Sequence, residues 1–249
     1  MTPICGIIDK LLRNYGMKIK GPLIKGNFIE RPNRFLIVVK IKDKYVKSHL
    51  PDPGRLKEIL TPGRVVFLRK EKLNTNRKTN YTTVLTDING ELVSLISTLP
   101  NQFIRECIEL NHLCFFDGFS IEKQEIKYGK HRFDFLLTDI KNKQFYLEVK
   151  SVTYVKNAIA KFPDAITERG TRHVNELSNL VKNGFKAGII FVVQRSDANI
   201  FHPMWDRDPK FCNALYNAKK CGVDIWCIKS RFSKRDMTFI SEIPINLKP

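Results

Sequence analysis

The sequence predicts two domains, an all-β barrel of the OB type followed by an α/β domain. In the first part of the chain, short strand-like runs follow one another with a single helix-like segment between them, which is typical of small Greek-key barrels. From about residue 99 onward, runs with helical spacing alternate with apolar runs, the order that α/β domains show. A chain of 249 residues has room for two such domains.

Five strand-like runs define the first domain. Each contains β-branched or aromatic residues and is bounded by turn-forming residues, the pattern expected of strands. The runs are Phe35–Ile41, Tyr45–Leu50, Arg64–Arg69, Tyr81–Ile88 and Leu92–Ile96. Asn89 and Gly90 supply a favoured two-residue hairpin turn between the last two runs. One short helix is predicted over Arg55–Leu60.

The second domain is predicted to begin where the sequence changes character, near Thr98 to Pro100. Apolar residues at helical spacing follow, with Asn101 as a candidate N-cap. The two domains are therefore predicted over residues 1–98 and 99–249. The predicted elements of the second domain are a helix over Asn101–Leu113, strands over Ile121–Tyr128, Arg132–Thr138 and Phe145–Val152, a helix over Thr171–Asn183, a strand over Ala187–Gln194, a helix over Pro209–Lys220 and a strand over Val223–Lys229.

The charge balance points to an acidic partner. The chain carries 43 Lys and Arg against 25 Asp and Glu, a formal net charge of +18, and such an excess favours nucleic acid. Its apolar runs fall far short of the ~20 residues that a membrane span needs, and no targeting signal is recognisable in the first residues. We therefore expect a cytoplasmic protein without a membrane partner. The six cysteines form no CxxC pair, which argues against a structural zinc site.

The most informative stretch for chemistry is a hairpin with Asp134 on one strand and Glu148 and Lys150 on the other. Side chains alternate between faces along a strand, so Glu148 and Lys150 share a face. If the hairpin is centred on Lys141, Asp134 lies opposite Glu148, and two carboxylates meet beside a lysine. The residues expected to point the other way and form the underlying core are Phe133, Phe135, Leu147 and Val149.

Two carboxylates this close repel each other unless a cation lies between them. Oxygen ligands suit a hard divalent ion such as Mg²⁺ or Mn²⁺, and a lysine beside the ion could orient a water for phosphodiester hydrolysis. In the alternative interpretation, Glu148 and Lys150 are a solvated edge pair and Asp134 is a surface residue, because an Asp followed by ExK is common by chance. These residues alone do not separate the two interpretations.

Several motifs in a fixed order carry a resemblance to a known family. They are FIERPNRF (Phe28–Phe35), HLPDPGRLKEIL (His49–Leu60), RKTNY (Arg77–Tyr81), HRFDF (His131–Phe135), EVKSVT (Glu148–Thr153), FPDAITERGTRH (Phe162–His173) and FVVQR (Phe191–Arg195). From about Ile24 to Trp226, the chain resembles the sugar fermentation stimulation proteins. Asp52 departs from the family motif HLPNPGR, which has asparagine there, and a carboxylate weakens any phosphate contact at that position.

The resemblance implies an OB-like domain, then an α/β domain of the PD-(D/E)xK nuclease type, and a DNA-binding role linked to sugar utilisation. It places Asp134, Glu148 and Lys150 at the three core positions of the nuclease. Glu106, on the preceding helix, is a candidate for an additional acidic group, and Glu125 is a second candidate. Each has an ordinary solvated glutamate as its alternative.

Candidate phosphate contacts in the second domain lie in two segments. Arg169 and Arg172 stand near the start of a predicted helix with Thr171 as its N-cap, and a helix N-terminus with two arginines can hold a phosphate. His173, the next residue, is either a general acid or a structural residue. The second segment, Gln194 and Arg195, follows a buried strand, where α/β sheets present functional groups, although a polar cap of the strand explains it equally well.

In the first domain, basic residues are interleaved with aromatic ones, a mixture typical of surfaces that bind single strands. The candidate contacts are Arg31, Asn33, Arg34, His49, Arg55, Arg77, Lys78 and Tyr81. Because the barrel core also needs aromatics, Phe35 is expected inside, which leaves Tyr45 and Tyr81 as rings on which bases could stack. We expect this domain to fold alone and to bind nucleic acid with weak sequence preference.

Together these features predict a DNA-binding protein that is a divalent-metal-dependent endonuclease. Asp134, Glu148 and the Val149 carbonyl are the expected ligands of Mg²⁺ or Mn²⁺, and Lys150 is expected to place the attacking water. The alternative is a non-catalytic DNA-binding regulator of sugar-utilisation genes, although a decayed nuclease would be expected to have lost at least one core group. The DNA could be single- or double-stranded, RNA is not excluded, and no feature predicts the oligomeric state.

Overall fold

The structure, a computed structural model, describes residues 16–72 and 77–249. The first strand, β1 (Gly16–Lys18), belongs to a large sheet formed mostly by the second domain. The next six strands belong to the first domain: β2 (Leu23–Asn33), β3 (Leu36–Ile41), β4 (Lys44–His49), β5 (Val65–Lys70), β6 (Tyr81–Ile88) and β7 (Glu91–Ser94).

Five of these strands close into a barrel. Their order is β4-β3-β2-β5-β6, and β6 pairs with β4 to complete the ring, while β7 extends the sheet beside β6. This is the five-stranded Greek-key order of an OB fold, and the predicted barrel is confirmed. Ile37 and Val39 of β3 and Val66 and Leu68 of β5 fill the interior, since every second residue of a strand faces inward.

Two features of the barrel differ from the prediction. No strand is predicted over β2, because charged residues and Pro32 interrupt its apolar alternation, yet β2 is the strand that pairs with both β3 and β5. The helix predicted over Arg55–Leu60 is wrong. Leu56 has a φ of +52°, a left-handed conformation that ends any helix, and its carbonyl accepts hydrogen bonds from the amides of Ile59 and Leu60. The segment is therefore a turn.

The second domain is an α/β unit, as predicted. Its elements are α1 (Leu99–Glu109), a 3-10 turn (Cys114–Phe116), β8 (Phe119–Tyr128), β9 (His131–Asp139), β10 (Gln144–Val152), β11 (Val155–Lys156), β12 (Ile159–Phe162), α2 (Glu168–Lys182), β13 (Lys186–Val193), β14 (Ile200–Pro203), α3 (Pro209–Lys220), β15 (Asp224–Phe232) and β16 (Asp236–Glu242). No helix in the described ranges is long and apolar enough to cross a membrane.

Seven strands form one sheet in the order β1-β16-β15-β13-β10-β9-β8, and β13 runs parallel to both β10 and β15. On one face, Phe103 of α1 packs in one core with Phe67 and Leu85 of the barrel. On the other face, Leu177 of α2 and Phe211 of α3 belong to a second core. A sheet covered on both faces has strands that are apolar throughout, which explains why β13 is a continuous apolar run. The remaining strands, β11, β12 and β14, form a small sheet. The sequence does not predict this sheet, because its strands are short.

Two helices of the second domain, α1 and α2, begin earlier than predicted. α1 starts at Leu99 and has Pro100 in its first turn, where proline is favoured because its missing N–H would have no partner there. Asn101 is therefore inside the helix and is not its N-cap. In α2 the cap is Thr167, whose hydroxyl accepts from the amide of Gly170 at 3.0 Å, and not Thr171.

Contacts outside the shared core also join the domains. β1 pairs antiparallel with β16, with Met17 opposite Met237, so residues 16–18 lie in the second sheet, although the predicted boundary assigns them to the first domain. Glu91 of β7 accepts hydrogen bonds from the amide and the hydroxyl of Ser196, at 2.5 and 3.0 Å. The barrel is thereby fixed against the loop that follows β13.

Candidate functional site

The hairpin of β9 and β10 brings Asp134 and Glu148 to the same end of the sheet. The ladder between the two strands ends at the pair Phe135–Leu147, in the register predicted for a hairpin centred on Lys141. The next pair in this register is Asp134 and Glu148, as predicted. Here the Asp134 side chain replaces the ladder, because its Oδ2 accepts from the amide of Val149 at 2.7 Å.

The alternation of β9 breaks where its ladder with β10 ends. Phe135, Leu147 and Val149 lie in the core shared with α1 and the barrel, as predicted. Phe133 lies instead in the core beneath α2, where its ring is 5.7 Å from the ring of His173. Phe133 therefore does not share a face with the other three apolar side chains, contrary to the expectation. The alternation of side chains between the two faces of β9 is interrupted beyond the end of its ladder with β10.

Glu148 is only 3% exposed. Its Oε1 accepts from the ammonium of Lys150 and from Nδ1 of His173, the latter at 2.7 Å. Burial opposes the charge on this carboxyl group, but Lys150 and His173 outweigh burial, so the pKa of Glu148 lies below its ordinary value. Glu148 is thus a buried, ionised carboxylate, a group that persists in proteins when it is paired or binds a metal.

His173 connects the carboxylate pair to α2. An ionised carboxylate only accepts hydrogen bonds, so Nδ1 of His173 is the donor to Glu148. The other ring nitrogen, Nε2, accepts from Nε of Arg169 at 3.5 Å. The ring is buried, and these two contacts fix it beside Glu148.

Asp134 is held from both of its neighbouring elements. Besides the amide of Val149, it accepts a hydrogen bond from Nδ2 of Asn101 on α1, at 2.6 Å. Burial and, after it, the charge of Glu148 raise the pKa of Asp134 to about 6. The two carboxylates therefore repel each other, and the effect of that repulsion appears on Asp134.

The donor set at this site fits a hard divalent cation. Oε2 of Glu148 is buried and has no hydrogen-bond partner among the described residues, and a buried polar atom of this kind calls for an ion or a water. A second carboxylate, Asp134, lies beside it. Within residues 16–72 and 77–249, no three His, Cys, Asp or Glu side chains are arranged to hold a metal ion, so a cation here would complete its shell with backbone, water or phosphate oxygens.

Arg169 and Arg172 lie on exposed positions in the first turns of α2. Arg169 is next to the His173 ring, and Arg172 forms an ion pair with Glu168 at 3.6 Å. Both cations are thus within one helical turn of His173, the residue that contacts Glu148. This placement suits the phosphate contacts predicted for them.

Gln194 and Arg195 have different surroundings. Gln194 is buried directly after β13, and its Nε2 donates to Oγ of Ser151, the residue after Lys150, at 2.7 Å. Its Oε1 is buried without a partner in the part of the chain that the structure describes. Arg195 is also buried and forms a two-bond ion pair with Asp197, at 2.6 and 2.9 Å, which occupies the guanidinium predicted to bind phosphate.

The two additional glutamates are positioned away from the contact between α1 and β9. Glu106 follows Asn101 by five residues, which turns it about 140° around the helix. Glu125 has an exposed side chain and pairs with Arg132 at 3.1 Å. The α1 side chain that reaches Asp134 is Asn101, a residue for which the sequence predicts no site role. Pro100 is the signal that could have placed Asn101 inside the helix.

A cleft with a volume of about 820 Å³ opens between the barrel and α1. We call it the basic cleft, because its lining includes Lys18, Lys20, Lys47, His49, Arg69, Arg77 and Lys78, and no acidic residue among the described ones. Glu71, which lies beside the cleft, pairs with Arg69 and Arg77 at 3.0 and 3.8 Å. Lys18, Lys20, Lys47 and Arg69 are absent from the predicted contacts, since their proximity arises only from the folded chain.

The predicted contacts of the barrel divide into two groups. Those that line the basic cleft are Asn33, His49, Arg77 and Lys78; those that do not are Arg31, Arg34, Arg55 and Tyr81. Tyr81 packs against the barrel core. The guanidinium of Arg31 donates to the carbonyls of Arg34, Asp52, Gly54 and Arg55 at 2.7 to 3.1 Å. Asp52 is itself buried and accepts from the amide of Gly54 at 2.7 Å, so these two residues shape the turn.

The aromatic ring at the basic cleft is Phe35, and its expected place inside the barrel is wrong. Phe35 is 49% exposed and stacks on the ring of His49, with 6.4 Å between centroids. It lies in the turn after β2, where the Asn33 side chain accepts from the Phe35 amide at 3.0 Å and holds the chain in a turn outside the alternation of the strands. Tyr45 is exposed, as predicted, but lies outside the cleft.

Comparison with known proteins supports this two-domain architecture. The family model of the sugar fermentation stimulation protein RE domain matches residues 98–236, and that of the SfsA N-terminal OB domain matches residues 29–95. The sugar fermentation stimulation protein homolog of Clostridium tetani is 38% identical over 93% of this chain and 100% of its own length. The chain belongs to the sugar fermentation stimulation protein family. Its homolog from Alkaliphilus metalliredigens is 42% identical over 84% of this chain and 90% of its own length.

The similarity to the sugar fermentation stimulation proteins extends to a solved structure. SfsA of Pyrococcus furiosus in complex with Ca²⁺ is 27% identical and covers 92% of this chain and 98% of its own, with a TM-score of 0.85. The RE-domain match includes Asp134, Glu148 and Lys150, whereas the OB-domain match begins after Lys18 and Lys20. Two cations of the basic cleft thus come from outside both family models.

Proposed function

We propose that the protein is a divalent-metal-dependent nuclease that hydrolyses phosphodiester bonds of DNA at Asp134, Glu148 and Lys150. The observation that carries the proposal is the buried Oε2 of Glu148, which has no partner among the described residues and lies beside a second carboxylate. A purely structural cluster would be expected to satisfy both oxygens of Glu148. The net charge of +18 supports a nucleic-acid partner.

Asp134, Glu148 and the Val149 carbonyl would hold Mg²⁺ or Mn²⁺. Such an ion supplies Lewis-acid stabilisation of phosphate charge and makes water more acidic. The Pyrococcus furiosus relative was solved with Ca²⁺, which is also a hard divalent cation with oxygen ligands. That complex supports a divalent site in the family, and the choice of Mg²⁺ or Mn²⁺ belongs to the proposal.

The side chains around the carboxylates have separate tasks in this proposal. Water attacks phosphorus and gives up a proton to the solvent, the bond from phosphorus to the leaving sugar oxygen breaks, and that oxygen takes up a proton from the solvent. Negative charge spreads over the phosphate oxygens as the bonds change. Lys150 orients the water and stabilises that charge, while its bond to Glu148 fixes the ammonium in place. His173 orients Glu148 from the other side. Arg169 and Arg172 hold the flanking phosphate.

Plasmid nicking tests the proposal. The purified protein should nick supercoiled DNA in Mg²⁺ or Mn²⁺ and be inert in EDTA. Glu148→Gln retains the size of the side chain but removes its charge, and we expect it to cut at least ~100-fold more slowly, since changes in the outer shell of metal sites already cost about 10- to 100-fold. The matched control, Glu125→Gln, changes an exposed glutamate and should cut like the wild type. Equal cutting by both variants would place the activity elsewhere.

A non-catalytic regulator of sugar-utilisation genes is the competing function. It requires DNA binding without hydrolysis of plasmid, linear duplex or single strands in either metal. Binding is therefore measured on the same preparations by gel shift in EDTA. Retained binding with complete absence of cutting would overturn the nuclease proposal and favour the regulator.

A further inference from the structure

The basic cleft and the carboxylate pair lie on opposite sides of the first turn of α1. Leu99 and Gln102 line the cleft, whereas Asn101, between them in sequence, donates to Asp134. Consecutive Cα atoms are about 3.8 Å apart, so a single helical turn separates the two places. A polymer that fills the cleft therefore reaches the carboxylates by passing around the start of α1.

We propose that the basic cleft binds an unpaired nucleic-acid strand and leads it to Asp134 and Glu148. The substrate would then be single-stranded, or a duplex with a single-stranded segment. The endpoint of this path depends on the proposed nuclease function, but binding in the cleft does not. The two can therefore fail separately.

The size of the cleft favours one strand over two. Its volume of about 820 Å³ is within the range of about 300 to 1,000 Å³ found for small-molecule sites. A cleft of this kind accommodates a few nucleotides of one strand, whereas a duplex presents two strands wound around each other. The position in the barrel agrees, because OB folds bind oligonucleotides across the second and third strands of the barrel and the adjoining loops, here β3 and β4.

The ring of Phe35 supplies a contact that only an unpaired base can use. Its side chain is 49% exposed at the cleft and is backed by His49. In a duplex, both faces of a base are covered by neighbouring base pairs. An unpaired base can stack on an aromatic side chain without regard to its identity, so Phe35 favours a strand of any sequence.

The charges of the cleft suit a phosphate backbone. Its cations come from both walls, with Lys18 and Lys20 on the side of β1 and Lys47 and Lys78 on the barrel. Glu71 offsets part of the charge of Arg69 and Arg77, so the four lysines carry most of the attraction. A backbone between the two walls would be contacted from both sides.

Binding without cutting tests the proposal. Fluorescence anisotropy in EDTA at pH 8 compares labelled dT12, rU12 and a blunt 12-base-pair duplex on the full chain. We expect the single strands to bind at least ~10-fold more tightly than the duplex. If dT12 and rU12 bind alike, the cleft accepts either backbone; if one binds better, that one identifies the natural strand. Equal or tighter binding of the duplex would overturn the proposal.

Two matched pairs of variants locate the binding. Phe35→Ala should weaken dT12 binding at least ~5-fold, because base stacking on one ring contributes about that much or more, while Tyr45→Ala, an exposed ring outside the cleft, should not. Lys47→Ala/Lys78→Ala should reduce the slope of log K against log salt by about 1.4, because each phosphate that a lysine neutralises on a single strand adds ~0.7 to that slope. The control is Lys42→Ala/Lys44→Ala, which changes one lysine in the turn after β3 and the first residue of β4, both outside the lining of the cleft. Phe35→Leu keeps apolar bulk without a ring and serves if Phe35→Ala is unstable.

Strand length tests the path to the carboxylates. In EDTA, Asp134→Ala/Glu148→Ala removes negative charge from the far end of the path, so dT12 should bind more tightly to this variant than to the wild type, while dT4, which fills only the cleft, should bind equally. An equal effect on both lengths, or none on dT12, would overturn the path. Normal strand binding in a protein that never cuts DNA would contradict only the nuclease function.

Discussion

The two carboxylates of the site are neighbours with opposite pKa shifts. The pKa of Glu148 is lowered because Lys150 and His173 outweigh its burial. The pKa of Asp134 is raised because burial and Glu148 outweigh the amide of Val149 and the other groups that bind it. The charged form of Glu148 is thus stabilised, whereas burial and, after it, the charge of Glu148 oppose ionisation of Asp134.

The raised pKa of Asp134 makes stability depend on pH in EDTA. An acid whose pKa is higher in the folded state stabilises the fold below its unfolded pKa and loses that stabilisation as pH rises through the folded value. As pH rises from 4 to 6, the free energy of unfolding of the wild type should therefore fall relative to that of Asp134→Ala. Above pH 7 the difference between the two proteins should stay constant. Urea unfolding across this range measures it.

Divalent cation provides the control for this pH dependence. Mg²⁺ favours the charged form of Asp134. In Mg²⁺ the difference in free energy of unfolding between the wild type and Asp134→Ala should therefore change less with pH, or not at all. A difference between the wild type and Asp134→Ala that stays constant from pH 4 to pH 7 in EDTA would contradict the raised pKa of Asp134.

Lys150 is expected to be essential for stability as well as for cutting. Lys150→Met leaves Glu148 buried with a charge that has lost its first partner, and breaking a buried ion pair in this way costs about 3 to 5 kcal/mol. Lys150→Met/Glu148→Gln removes the charge too and should recover most of the loss. Urea unfolding at pH 8 compares the three proteins, and a double variant no more stable than Lys150→Met would show that the loss has another cause.

The sequence predicts those site residues whose positions follow from the alternation of side chains along a strand. Asp134, Glu148 and Lys150 follow from the spacing of one hairpin and its register. The contacts of His173 and Asn101 do not, because they depend on how α2 and α1 pack on the sheet.

At the scale of elements, the turn after β4 depends on one side chain. Arg31, on β2, donates to four backbone carbonyls, three of them in residues 52–55. Arg31→Ala should lower the free energy of unfolding by about 2 kcal/mol or more, because several carbonyls lose a charged donor. Arg34→Ala, an exposed neighbour, should change it by less than about 0.5 kcal/mol. Thermal unfolding followed by circular dichroism measures both, and equal effects would contradict the special role of Arg31.

Elements with local signals at both ends are predicted best. α3 spans Pro209–Lys220 as predicted, because Asp208 caps the amide of Phe211 and Pro209 occupies the first turn. β2 is not predicted, because its sequence lacks the alternation of apolar and polar residues. It forms a strand because it pairs with both β3 and β5. The turn at Leu56 is predicted as a helix because its apolar residues have helical spacing. That spacing does not reveal the positive φ of Leu56.

At the scale of the whole molecule, the shared core binds the domains into one folding unit. Phe67, Val84 and Leu85 of the barrel are buried in the core of the second sheet, and burying each side chain contributes about 1.5 to 3 kcal/mol. Their total is comparable with the stability of a small domain. We therefore expect the fragment 16–98 to be unstable alone, contrary to the expectation from sequence.

The full chain should unfold in one transition, seen at the same urea concentration by tryptophan fluorescence and by circular dichroism. The fragment 16–98 should bind a hydrophobic dye that the full chain does not bind. A fragment that unfolds cooperatively and leaves the dye unbound would show that the barrel does not need the second sheet.

The pairing of β1 with β16 has a consequence for biosynthesis. A ribosome releases Gly16–Lys18 early and Asp236–Thr238 late, yet these segments are partners in one ladder, and the amide of Ile19 donates to the carbonyl of Arg235 at 2.8 Å. Lys18 and Lys20 therefore reach their positions only when translation has passed the last strand. A nascent chain whose barrel and carboxylate pair have already formed would still lack the wall of the cleft that contains Lys18 and Lys20. Deletion of β16 would therefore also displace these two lysines, which lie far from it in the sequence.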